Sequence, residues 1–167
     1  MRVTYDEDEC YELVQEVTIA DMLKEHRMEL ADSVRDPIVE EWNGSIESGV
    51  SLLPVTGCTG MVTVSKFQSL VGSLLWIARC TWPGIVFAVH KALRRTHSPT
   101  TPDWKLATRI VRYLAGTRSL RQRMRGSREP GKPLEVIAYS DAGFAVDKED
   151  SNSVTGGCVT VDGMAPS

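Results

Sequence analysis

The chain has 167 residues, 42% hydrophobic and 25% charged, which suits one ordinary soluble domain or two small ones. Arg79, Pro83 and Lys91 interrupt its apolar stretches, so none approaches the roughly 20 apolar residues that span a membrane. The amino terminus is acidic and lacks the apolar segment of a secretory signal. Composition therefore predicts an intracellular protein, cytoplasmic or nuclear, that is neither secreted nor inserted in a membrane.

The net charge of −3 conceals a strong segregation of charge along the chain. Residues 1–50 carry 14 acidic and 4 basic side chains, whereas residues 91–132 carry 12 basic and 2 acidic ones. Residues 51–90 hold two basic side chains and no carboxylate. Segregation on this scale indicates either a surface for a polyanion or an internal contact between the acidic and basic segments.

The four cysteines are widely spaced and form no CxxC or Cys/His ligand pattern, which favours idle thiols in a reducing compartment over a zinc site or disulfide. The three histidines have no neighbour at the spacing of a metal site or catalytic triad. We interpret them as helix-surface or loop residues.

The amino-terminal third mixes strand and helix signals. RVTYDEDECYELVQEV predicts two short strands around a very acidic turn. TIADMLKEHRMEL follows, with Ile19, Met22, Leu23, Met28 and Leu30 at spacings that suggest a helix. The Gly-, Ser-, Thr- and Pro-rich residues 42–64 then predict a linker.

Three helix patterns follow between residues 65 and 117. The first begins at Ser65, where Gln68 three positions later predicts a capping box. The second begins near Pro83, since proline suits the first turn of a helix. The third begins at Thr101-Pro102-Asp103 with a cap, a proline and a carboxylate, and it ends at Gly116.

Basic residues accumulate through the third helix and beyond it. At about 100° per residue, Lys105, Arg109 and Arg112 share one side of that helix, opposite its apolar face. Arginine forks match phosphate oxygens, and counterion release supplies affinity, so these three residues with Arg118 and Arg121 are candidate nucleic-acid contacts. The whole cluster comprises Lys91, Arg94, Arg95, Lys105, Arg109, Arg112, Arg118, Arg121, Arg123, Arg125, Arg128 and Lys132. The alternative is a solvated helix face partly neutralised by the acidic amino-terminal segment.

Two strand patterns close the chain, PLEVIAYSDAG and SVTGGCVTVDG, joined by a polar turn at residues 147–152. Asp141 lies at the end of the first strand. A carboxylate there suits Mg²⁺ in two-metal phosphoryl chemistry, although a lone aspartate at a strand end is more often a turn former.

In combination, these motifs resemble part of the Pol polyprotein of copia-type long-terminal-repeat retrotransposons. FQSLVGSLLWIARCTWPGIVFAVHKALRR and SPTTPDWKLATRIVRYLAGTRSL resemble the helical region that closes that family's reverse transcriptase. IAYSDAGFAVDKEDSNSVTGG resembles the opening of its ribonuclease H. The amino-terminal RVTYDEDECYELVQEVTIADMLKEHRMELADSVRDPI is similar to the stretch after the polymerase active site.

The resemblance implies a chain that lacks most of the family's catalytic groups. The polymerase carboxylates, including Tyr-x-Asp-Asp, would lie upstream of residue 1. Of the four ribonuclease H carboxylates that hold two Mg²⁺ ions, only Asp141 matches, as the first. Gly143 and Phe144 stand where the family has Asp and Trp, and Trp82 and Gly84 where it has Arg and Asp. The resemblance thus predicts a chain that is inactive by itself, with Mg²⁺ a cofactor of the parent family only.

We therefore expect an α+β fold: a strand hairpin and helix, a central three-helix thumb-like bundle, and a carboxy-terminal hairpin from an incomplete ribonuclease H-like domain. The resemblance divides the chain into the end of the palm (1–41), a linker (42–64), a thumb or connection region (65–132) and the start of ribonuclease H (133–167). The expected partners are an RNA–DNA or DNA duplex on residues 91–132 and the rest of the polyprotein, with no membrane. Two alternatives stay open: a split ribonuclease H or polymerase that uses Asp141, and a non-functional remnant.

Overall fold

The structure is a computed structural model that describes residues 1–5, 10–39, 51–125, 131, 133–143 and 154–164. The chain divides into two compact units. The helical unit comprises Met1 and Gln15–Leu120, and the strand unit comprises Arg2–Val14 with Arg121–Ser167. Helices and antiparallel strands segregate between the units, which confirms the α+β class.

The elements follow one another in an order close to the predicted one. In chain order they are β1 Arg2–Tyr5, β2 Cys10–Val14, α1 Glu16–Glu25, α2 Val64–Cys80, a 3-10 turn Pro83–Ile85, α3 Val86–Leu93, α4 Thr101–Thr117, β3 Gln122–Arg125, β4 Val136–Gly143 and β5 Val154–Val161. Of these, β3 lies in a basic stretch that carries no strand signal. The four-part division by ancestral domain stays a prediction, because it follows homology rather than compactness.

Helix α1 is shorter than its hydrophobic pattern suggests. It ends at Glu25, and two residues later Arg27 adopts a left-handed backbone conformation with a φ of 57°. The backbone N–H of Met28 donates to the Leu23 carbonyl oxygen at 2.8 Å, and that of Arg27 to the Lys24 oxygen at 3.1 Å. This is a Schellman motif, which satisfies the last carbonyls and turns the chain away from the helix axis. The prediction that the helical pattern extends through Leu30 is therefore wrong, and Leu30 is 99% exposed.

The predicted capping box of α2 is also wrong. The helix begins one residue earlier, and Thr63 is its cap, with Oγ1 accepting from the Lys66 N–H at 3.3 Å. Gln68 instead donates through Nε2 to the Thr96 carbonyl oxygen at 2.9 Å. That bond ties α2 to the loop after α3, a long-range partner that local sequence does not reveal.

Helix α4 has the best-defined start in the chain. Thr100 and Asp103 form a capping box: the Asp103 carboxylate accepts from the Thr100 N–H at 2.7 Å, and Thr100 Oγ1 accepts from the Asp103 N–H at 3.5 Å. The predicted cap is thus displaced by one residue, from Thr101 to Thr100. An antiparallel bridge between Leu52 and Thr100 holds this start against the segment before α2.

One hydrophobic core joins the helices of the helical unit. Phe67, Leu74 and Ile110 are among its fully buried side chains, and the 3-10 turn contributes Ile85. The buried members are Ile19, Met22, Leu23, Phe67, Leu70, Val71, Leu74, Ile77, Ala78, Trp82, Ile85, Ala88, Val89, Ala92, Leu106, Ala107, Ile110, Val111 and Leu114. The apolar face predicted for α4, opposite its basic side, is buried in this core.

Strands β1, β2 and β3 form one antiparallel sheet, in that order. Tyr5 pairs with Tyr11 across β1 and β2, and their rings lie 4.9 Å apart between centroids. On the other side of β2, Glu12 pairs with Arg123 of β3. The segment QRMR has no apolar alternation, and it forms a strand because it pairs with β2.

Strands β4 and β5 form a separate antiparallel hairpin, as the sequence predicts. Val136 pairs with Val161, and Asp141 with Gly156. From Val136 to Asp141 every side chain of β4 is exposed, Tyr139 to 57%. The hairpin is therefore held by its ladder and not by a buried face of β4, which leaves such a pair marginal.

Several predictions concern residues outside the described ranges. They are the acidic turn at 6–9, residues 42–50 of the linker, the turn at 147–152, Phe144, Arg128 and Lys132. Within the described ranges, no helix has the length and apolarity required to cross a bilayer.

Candidate nucleic-acid interface

Helix α4 presents three cationic side chains to one open groove. Lys105, Arg109 and Arg112 succeed one another along the helix at spacings of four and three residues, so they share a face. The groove has a volume of about 320 Å³ and is lined by Val39, Lys105, Leu106, Thr108, Arg109 and Arg112. Among the described residues, the groove lining contains three cationic side chains and no carboxylate, so this part of the groove is cationic.

Residues 28–39, which we term the strap, lie along the same face of α4. Arg109 donates through Nε to the carbonyl oxygen of Asp36 at 3.0 Å, and Arg112 donates through Nε to that of Asp32 at 2.6 Å. Both contacts join α4 to residues more than 70 positions earlier. These contacts use backbone carbonyls and no carboxylate. A charged contact between the acidic and basic segments is made elsewhere, by Glu12 with Arg121 and Arg123.

The close approach of strap and helix depends on Gly116. A Cβ atom at this position would lie 2.7 Å from the Cβ of Ser33, well inside van der Waals contact. Gly116, which the sequence suggests as the end of α4, is therefore a helical residue one position before the end. Its small size lets the strap pack against the last turn of α4.

Two of the predicted contacts lie beyond the groove residues. Arg118 is the exposed residue that follows α4. Arg121 belongs to the strand unit, where its Nη1 lies 2.9 Å from Glu12 Oε2, while Arg123 Nε lies 2.7 Å from Glu12 Oε1. Hydrogen bonds from Arg121 and then Arg123 hold the pKa of the Glu12 carboxyl below its usual value. Arg121 is thus part of an ion-pair cluster within the strand unit.

Asp141 lies on β4 with an exposed side chain, opposite Gly156 of β5. Across the described part of the chain, no three His, Cys, Asp or Glu side chains come together as a metal site would require. One carboxylate does not supply the donor set of a two-metal centre. The described residues therefore do not supply the ligands for the pair of Mg²⁺ ions that the resemblance assigns to the parent family.

Two exposed aromatic side chains are surface features that sequence analysis missed. Trp76 on α2 is 56% exposed, and Phe87 on α3 is 51% exposed with Lys91 Nζ 5.7 Å from its ring centroid. Trp104 and Tyr113, which stand out in the basic stretch, are instead half-buried against the core. At about 100° per residue, Trp76 falls on the side of α2 opposite its buried residues, and this spacing is a signal that could have found it.

His26 departs from the surface position expected of it. It is buried at the end of α1, and neither ring nitrogen has a hydrogen-bond partner among the described residues. Burial lowers the pKa of this imidazole, the charge of Glu25 opposes the shift, and that of Lys66 adds to it.

The chain is similar in sequence to known Pol polyproteins. The chain is 33% identical over 144 residues to the retrovirus-related Pol polyprotein from transposon RE1 of Arabidopsis thaliana, a match that covers 86% of this chain and 9% of the relative. It is 31% identical over 136 residues to that from transposon RE2 of the same plant, covering 81% and 8%. It is 31% identical over 154 residues to that from transposon TNT 1-94 of Nicotiana tabacum, covering 92% and 11%.

No protein-family model and no solved structure matches the chain. The fold and groove define an α+β protein whose helical unit carries a cationic helix face. The chain belongs to the Pol polyproteins of copia-type retrotransposons, which confirms the resemblance seen in the sequence. It spans about a tenth of the length of these relatives.

Proposed function

We propose that this region of a retrotransposon Pol polyprotein grips the primer–template duplex during RNA-directed DNA synthesis. It supplies phosphate contacts, and the catalytic carboxylates belong to other parts of the polyprotein. The observation that carries the proposal is the cationic groove on α4, formed by Lys105, Arg109 and Arg112. The homology to Pol polyproteins supports a nucleic acid as the anion that this groove meets.

The charge distribution supports a duplex backbone as the ligand. Three cations on one helical face span about 10 Å along the axis, enough to follow successive phosphates of one strand. Contacts of this kind position a duplex without reading its sequence. Arg118 and Arg121 remain proposed additional contacts, and Arg121 would bind phosphate while its Nη1 is shared with Glu12.

Binding of a fluorescent RNA–DNA hybrid at increasing salt tests the proposal. Three phosphate contacts predict a slope of about −3 for log K against log salt. Lys105→Ala should weaken binding and reduce that slope by about one. Lys24→Ala removes the same charge from α1, outside the groove lining, and serves as the matched control.

A flat salt dependence, or no binding at low salt, would exclude the proposed function. Equal losses from Lys105→Ala and Lys24→Ala would show that only the overall charge of the unit matters. A duplex of scrambled sequence should bind as tightly as the original, since the proposed contacts are to phosphates.

A further inference from the structure

We infer that the strap positions two arginines of the phosphate site. The backbone carbonyls of Asp32 and Asp36 orient Arg112 and Arg109, respectively, so that the terminal nitrogens of both arginines face the groove. This inference rests on the proposed function and assigns a positioning role to a segment that contributes no cation to the groove. It predicts that duplex binding depends on strap docking even when no charge is altered.

The hydrogen-bonding capacity of arginine makes this double use possible. A guanidinium carries five N–H donors, and the strap takes only Nε of each residue. Within the described part of the chain, the Nη groups of Arg109 and Arg112 make no hydrogen bond. Each Nη pair is therefore available for a bidentate contact with phosphate, in a plane that the Nε bond fixes.

The kind of partner matters as much as its position. A carboxylate at the same place would neutralise the arginine, whereas a carbonyl orients it and leaves its full charge. The Asp32 and Asp36 side chains are exposed and make no ion pair with either arginine. The strap thus holds the two cations without competing for them as a phosphate mimic would.

The strap is itself anchored along its length. It starts at the Schellman motif that ends α1, and Met28 and Ile38 pack against the helical core. In its middle, Ser33 meets Gly116 at the closest approach to α4. At its end, Val39 lines the same groove as the arginines. A segment fixed at three places can hold two guanidinium groups in a defined orientation.

A steric variant that alters no charge separates this role from general electrostatics. Gly116→Ala places a Cβ atom 2.7 Å from Ser33 Cβ and should push the strap away from α4. We expect the hybrid to bind about tenfold more weakly, because two oriented arginine contacts are loosened. Ser33→Gly removes the opposing Cβ, so the double variant Gly116→Ala with Ser33→Gly should return to within about twofold of wild type.

Substitutions of an arginine provide a second, independent readout. Arg112→Lys keeps the positive charge but loses both the planar fork and the Nε bond to Asp32, so it should weaken binding by about fivefold while the salt slope stays nearly constant. Asp32→Asn keeps the carbonyl and removes a nearby negative charge. It should raise affinity by about twofold at low salt, an effect that added salt screens.

Hydrogen exchange and thermal melting accompany each binding measurement. Faster exchange of the Ala31 amide, which donates to Met28, reports strap displacement, and a retained cooperative melt shows that the helical core persists. Tighter binding by Gly116→Ala would mean that the strap competes with nucleic acid, and unchanged binding with a displaced strap would mean that it does not position the arginines. Either result overturns the inference while the Lys105 test leaves the proposed function standing. Absence of hybrid binding by the wild-type chain would remove both.

Discussion

The helical unit and the strand unit differ in how far their apolar residues are buried. In the helical unit, apolar residues at helical spacing meet one another, and the side chains of α2 and α4 that face inward are fully buried. In the strand unit, β4 has a clear strand pattern and finds its partner β5, yet Val136 and Tyr139 stay more than half exposed. A strand signal therefore predicts pairing, while burial requires a second layer.

Truncation of a core side chain in the helical unit should have the largest effect on stability. Leu74→Ala empties a fully buried site of α2, so the free energy of unfolding should fall by about 3 kcal/mol. Urea denaturation followed by far-UV circular dichroism measures this loss. Ser69→Ala, on the exposed side of the same helix, should change stability by no more than about 0.5 kcal/mol. A loss for Leu74→Ala as small as that for Ser69→Ala would mean that the core around Leu74 is loosely packed.

Removal of a helix cap should have an intermediate effect within the helical unit. Asp103→Ala deletes the carboxylate that accepts from the Thr100 N–H and Oγ1, so unfolding should become easier by about 1 kcal/mol. Ser65→Ala should be nearly neutral, because Thr63 and not Ser65 caps α2. Thermal melting of both variants checks the pair, and a large loss from Ser65→Ala would restore the capping box predicted from the sequence.

The sheet of the strand unit should respond to acid through Glu12. Because the two arginines lower the pKa of its folded carboxyl, the ionised form stabilises the fold above the unfolded pKa of about 4.5. That contribution should be lost as pH falls through the lower folded pKa. Hydrogen exchange of the β2 and β3 amides, compared between wild type and Glu12→Gln at equal pH, should differ at pH 7 and converge in acid. A difference that grows in acid would contradict this sign.

The smallest effect is expected in the exposed hairpin. Val159→Ala removes a side chain that is 44% exposed, so the unfolding of the helical unit should change by less than about 0.5 kcal/mol. The amides of β4 and β5 should also exchange faster than those of α2 and α4. Protection of the hairpin amides equal to that of α4 would show that another layer covers this hairpin in solution.

The sequence predicts only part of the candidate site. The shared face of Lys105, Arg109 and Arg112 follows from helical spacing, and the structure brings these residues to one groove. The strap contacts were beyond sequence reasoning, because they join positions more than 70 residues apart through backbone carbonyls, which every residue carries. The sequence also suggested Arg121 as a phosphate contact. Its ion pair with the buried Glu12 could not be predicted, because the two residues lie 109 positions apart.

The sequence by itself determined where most helices and strands lie, the apolar face of α4, and the membership of the Pol polyprotein family. These features depend on local periodicity, on capping residues and on motifs, all of which are read from neighbours along the chain. Tertiary structure alone decided that QRMR becomes β3, that Thr63 rather than Ser65 caps α2, and that the strap docks beside Gly116. Each of these outcomes depends on a partner distant in sequence, or on which of two hydroxyl residues two positions apart caps the helix, a choice that local sequence leaves open.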